Sequence, residues 1–170
     1  MATQDQEYRE AVKERYRFSE WAGTVRGDAA VRRQNVELPD FVVGGWTIER
    51  AESLTERIEG VVAATRYVYA QDEAARGRRV MVRVYEYDSP LASHEGLIDV
   101  VMTLMAPSLP TCADLGIEAG DVCFGSRGDP PTGAVFSRYN VLVHVESIGA
   151  RPVSVAPFVQ AVDAILDEAP

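Results

Sequence analysis

Lysine is almost missing from this chain: Lys13 stands alone among 17 basic residues, and the other sixteen are arginine. Histidine occurs twice, at His94 and His144, and cysteine twice, at Cys112 and Cys123. Two histidines with no HExxH motif and no cluster at ligand spacing leave no metal site to expect. His94, beside Glu95, reads as a surface residue. Ten residues lie between the cysteines, which suits neither a CxxC redox pair nor a zinc knuckle. Reduced thiols packed in or near the core are expected, with a disulfide as the alternative. No GxSxG elbow, Walker A loop or GxGxxG turn occurs, so no cofactor is expected.

Positive charge is also short. The balance of 17 basic against 26 acidic residues gives −9 at pH 7 and argues against nucleic acid as a partner. The longest apolar run, 97–106, contains Asp99 and falls below the ~20 residues that span a bilayer, so no membrane association is expected. Residues 1–17 are charged throughout, without an apolar signal core, and a cytoplasmic location follows as the expectation. The arginine bias is what a GC-rich bacterial genome produces. The tripeptide Arg-Gly-Asp occurs at 26–28 and 127–129, where turn chemistry accounts for it.

What is present is an ordinary globular composition, 46% hydrophobic and 25% charged over 170 residues, enough for one domain with a core. Residues 4–22 read as a helix with a thin apolar stripe through Tyr8, Val12 and Tyr16. A mixed stretch over 24–45 carries turn signals at Leu38-Pro39-Asp40 and Gly44-Gly45. From Trp46 the period changes to two, and WTIERAESL, VVAATRYVYA and RVMVRVYEY read as strands, turned at 58–60 and 71–78. A helix follows over 93–105 with Ser93 as its N-cap, then a short strand at 121–125, a long one over 135–147, and a helix over 153–167. The organisation expected is a helix and arm over 1–45 and an α+β domain over 46–170, compact as one unit.

A shift of 61 positions lays Val80, Val82 and Val84 on Val141, Val143 and Val145, and the apolar stripe of one helix on that of the other. It predicts a strand–strand–helix unit used twice. The fold class expected is therefore α+β, a single antiparallel sheet of about five strands with its long strands central and both helices on one face.

Alternation then puts the valines under the helices and leaves an open face bearing Arg83, Tyr85 and Tyr87 from one central strand, and His144 and Glu146 from the other. Tyr67 and Tyr69 of the neighbouring strand are expected to join it. Tyrosines among a few convergent polar groups suit either a docking partner or a small ligand. His144 with Glu146 is the one His–carboxylate pair for acid–base work.

The order helix, three strands, helix, two strands, helix, with the small size and acidity, resembles the bacterial secretion chaperones of the type III class. The resemblance implies a homodimer that holds an extended protein segment without catalysis. The leading expectation is thus a non-catalytic, chaperone-like protein-binding domain. Its rival is a small-molecule binder or enzyme working through Arg83, Tyr85, His144 and Glu146.

Overall fold

A computed structural model describes residues 1–28, 30–71, 77–104 and 108–168. Helix α1 (Gln4–Arg15) starts at a capping box, in which the Thr3 hydroxyl accepts from Gln6 N–H and the Gln6 side chain accepts from Thr3 N–H. It has acidic residues in its first turn and basic residues in its last, as the helix dipole favours. The single helix predicted over 4–22 is broken: Arg17 takes φ 57°, and a short helix α2 (Phe18–Trp21) turns away.

Strands β1 (Trp46–Ser53), β2 (Val61–Gln71) and β3 (Arg79–Tyr87) follow the alternating segments of the sequence. The turn predicted over 71–78 falls largely on 72–76, outside the described residues. Helix α3 (Pro90–Thr103) is capped by Ser89, whose hydroxyl accepts from Ala92 N–H, with Pro90 at the first helical position. Ser93, the expected cap, lies instead inside the helix and donates to Pro90 O. The predicted end of this helix at Met105 is also outside the described residues. Strand β4 (Val122–Gly125) comes next. The single strand predicted over 135–147 is two, β5 (Gly133–Arg138) and β6 (Val141–Ser147), folded back at Tyr139-Asn140, where Tyr139 takes φ 54°. Helix α4 (Ala156–Glu168) closes the chain.

The class is α+β, and the sheet has six strands, all antiparallel, in the order β1-β2-β3-β6-β5-β4. Two three-stranded meanders meet where β3 pairs with β6. There Val82 faces Val145, Val84 faces Val143, and Arg83 faces His144. A two-fold axis through the Arg83–His144 pair would exchange Val82 with Val143, the same relation as the shift of 61. The helices break that symmetry. An axis normal to the sheet keeps its faces, whereas α3 and α4 lie on opposite ones.

This corrects the expectation of both helices on one face. Phe158, Val159, Val162 and Leu166 of α4 pack with Val80, Val82, Val84, Val141, Val143, Val145, Tyr67 and Tyr69 on the first face. Leu97, Ile98 and Val101 of α3 pack with Tyr87, Val135 and Leu142 on the second, where Val12 and Tyr16 of α1 join them. The physical reason is that Val135 of β5 and Leu142 of β6 make part of the second face apolar, opposite the valine face, so each face needs cover. Helix α3 lies across β3, β6 and β5 on the second face.

The arm before β1 belongs to the first face. Asn140 accepts from Arg33 N–H and donates to Arg33 O and Tyr87 O. Glu86, buried with its carboxyl pushed above the ordinary range, accepts from the N–H groups of Asn35 and Val36. Arg33 reaches the carbonyls of Leu166 and Asp167 at the end of α4.

The cysteines are bonded, Cys112 to Cys123, with Cα atoms 5.3 Å apart. The expected pair of reduced thiols is thereby corrected, although both residues are buried as expected. The segment before the short 3₁₀ turn at Ala113–Leu115 runs beside β4: Thr111 bridges Phe124, and Cys112 N–H donates to Cys123 O. That pairing brings the two Cα atoms within bonding range. It also covers the β4 edge of the sheet. Among the described residues no helix is long and apolar enough to cross a membrane.

Candidate functional site

On the second face, the parts of β3 and β6 that α3 leaves uncovered carry the charged residues. Register places Arg83 opposite His144 and Met81 opposite Glu146. Arg83 Nη1 donates to Glu146 Oε2 at 3.1 Å and lies 3.4 Å from His144 Nδ1. His144 Nε2 is 3.6 Å from Glu146 Oε1. Burial holds the His144 imidazole below its ordinary pKa; the Arg83 charge pushes the same way, and Glu146 opposes both.

A cleft of about 330 Å³ adjoins this cluster. Its existence follows from the register. On the β5 side, Glu146 faces Gly133, which has no side chain to fill the space, while His144 faces Val135. Leu104 at the end of α3, Leu109, and Phe124 of β4 complete the apolar walls. Ser126 and Thr132 stand at the rim, and the Ser126 hydroxyl accepts from the backbone N–H groups of Thr132 and Gly133, which fixes the β4–β5 connection. The chemistry is that of a small apolar recess ending in a neutral imidazole and a carboxylate.

The residues singled out in the sequence divide. Arg83, His144 and Glu146 come together. Tyr85 shares their face opposite Leu142, half-buried, and burial raises its pKa. Tyr87 is on the same side but sealed beneath α3, its ring against Gly96 and Gly60, with a pKa raised by burial. Tyr67 and Tyr69 do not join the open face. They pair with Val82 and Val80, and residues directly opposite across antiparallel strands project to the same side. Both therefore lie in the core under α4 and the arm. Tyr67 OH accepts from Leu38 N–H, and Tyr69 OH donates to Pro39 O at 2.9 Å. On β2 the side shared with Arg83 carries Ala64, Arg66 and Val68, and Arg66 is ion-paired with Glu52 of β1.

His94 is not a surface residue. It is fully buried, accepts from Gly23 N–H through Nδ1 at 3.2 Å, and meets the Trp21 ring edge-on at 5.6 Å between centroids. Burial lowers its pKa to about 4. The sequence places it at the right spacing for this, four residues after Pro90 and three before Leu97 on the inner stripe of α3. Leu104 and Leu109 are not visible as walls in the sequence because only the α3 crossover brings their segments to β5 and β6, and Phe124 because its side is set by the β4–β5 register.

A second cleft, about 550 Å³, runs between the α1–α2 junction and the disulfide segment. Two of its acidic groups are already answered within the chain, Glu20 by Arg17 and Asp121 by the backbone N–H groups of Arg26 and Tyr139. Among the described residues no group of three or more His, Cys, Asp or Glu side chains could hold a metal ion. Compared with known family models, curated proteins and solved structures, the chain matches none of them.

Proposed function

We propose that this chain is a non-catalytic binding domain that takes a small, largely apolar molecule in the cleft ending at His144 and Glu146. The observation that carries the proposal is the cleft itself. Leu104, Leu109, Phe124 and Val135 form its walls, and its polar end is the one His–carboxylate pair among the described residues. A recess of this size, mostly apolar with a few convergent polar groups, is the usual form of a small-ligand site. Binding is favoured over catalysis because Arg83 engages both partners of that pair, which disfavours proton uptake by His144.

A protein partner or homodimer is the second reading, favoured by the acidity and by β1, which pairs only with β2 among the described residues. That edge carries Glu49, Arg50 and Glu52 and a bulge between Ile48 and Arg50, devices that resist strand addition. A stable monomer by light scattering behind size exclusion would count against it. On location, the Cys112–Cys123 bond favours an oxidising compartment over the cytoplasm expected from the sequence.

The test is an amide NMR titration of the full chain with phenol. Shifts should centre on Gly133, Val135, His144 and Ser147. They should vanish in Thr132→Trp, which blocks the mouth of the cleft while keeping the Thr132 N–H bond to Ser126. Shifts centred on α1 or β1, or none at all, would overturn the proposal.

A further inference from the structure

Resting on the small-ligand reading, we infer that the ligand's polar end is an uncharged group that both donates and accepts a hydrogen bond, an alcohol or a primary amide, seated between His144 Nε2 and Glu146 Oε1. The geometry fixes the proton on the imidazole. A guanidinium only donates, so the contact of Arg83 Nη1 with His144 Nδ1 at 3.4 Å requires the lone pair on Nδ1 and the proton on Nε2. That Nε2–H is 3.6 Å from Glu146 Oε1, too far for a hydrogen bond. The other carboxylate oxygen is taken by Arg83 at 3.1 Å. A donor and a charged acceptor thus stand side by side without satisfying each other. An oxygen about 2.8 Å from both completes a triangle across that separation, accepting from Nε2–H and donating to Oε1.

Charge selects against the alternatives. Arg83 and Glu146 cancel, and His144 is neutral. A carboxylate ligand would face Glu146 with Arg83 already engaged, and an ammonium ligand would meet a histidine that offers only a donor. A hydroxyl adds no charge to a half-buried cluster. Leu104, Phe124 and Val135 then take an apolar body.

Three probes of one shape decide it: benzyl alcohol, benzoate and benzylamine, titrated at pH 7.5 into the full chain and into Thr132→Trp by NMR. Benzyl alcohol should bind at least about tenfold more tightly than either charged probe, the size expected for one hydrogen bond to a charged group. Glu146→Gln should narrow the gap to benzoate. Benzoate or benzylamine binding as tightly as the alcohol, with loss in Thr132→Trp, would overturn the head-group inference and leave the cleft standing. Failure of all three to bind would remove the small-ligand reading and this inference with it.

Discussion

Replacing Asp163 with alanine is expected to destabilise the chain by roughly 3–5 kcal/mol, the cost of stranding a buried charge. Arg138 of β5 is buried and donates through Nε and Nη2 to Asp163 of α4 at 2.9 and 3.1 Å, while Gly120 N–H donates to the same carboxylate at 2.9 Å. Asp121 Oδ1 and Asp167 Oδ1 are each 3.9 Å from the guanidinium, too far to replace the fork. This one carboxylate therefore fastens α4, β5 and the turn before β4 together. For a chain of this length the loss is a fall in Tm of about 10 °C or more, measured by calorimetry. Arg138→Met with Asp163→Leu should recover part of it, because an ion pair replaced by apolar groups often stays neutral. Gly120 N–H, left without an acceptor, accounts for the part not recovered. A change below about 1 kcal/mol in the single variant would mean that water reaches the pair.

Acid should destabilise the fold through His94. Its folded pKa is about 4 because burial penalises the cation, and Nε2 has no hydrogen-bond partner in the buried site. The unfolded ring titrates near 6.5. Between those values the unfolded chain binds the proton that the folded chain refuses, so the stability from a neutral His94 is complete above about pH 6.5. It drains as pH falls toward about 4, by about 3 kcal/mol in all. His144, its pKa also lowered by burial, adds in the same sense, whereas Glu86 and Asp121, raised by burial, act in the opposite one. The comparison is therefore between the parent and His94→Gln, whose amide oxygen can still accept from Gly23 N–H, by urea melts at pH 7 and pH 4.5. The parent should lose more stability than the variant. Equal losses would show that His94 titrates freely.

The period-two segments identified β1, β2 and β3 because alternation is a local property, visible without partners, whereas β5 and β6 read as one strand. The equivalence of Arg83 and His144 was legible in the shift of 61; that the two strands are neighbours and meet at that pair comes from the register. Parity alone could not say which face was open. Leu142 and Val135 make the second face apolar as well, yet in VLVHVES and GAVFSR they sit where an exposed residue was expected. Tyr67 and Tyr69 were misassigned because aromatic side chains suit a binding surface and a core equally, and only the register with Val82 and Val80 separates the two. The hairpin at Tyr139-Asn140 carries no glycine or proline, and Asn140 alone is a weak turn signal between two apolar runs. Cys112 and Cys123 are eleven residues apart in sequence and meet only because Thr111 bridges Phe124.

A crystal structure of the full chain grown with excess benzyl alcohol would show whether the recess between α3 and the β5–β6 pair, headed by His144 and Glu146, takes a ligand. The ring is expected against Leu104, Phe124 and Val135, with the hydroxyl within hydrogen-bond distance of both His144 Nε2 and Glu146 Oε1. A recess holding only ordered water, with the alcohol bound elsewhere or nowhere, would contradict the small-ligand reading.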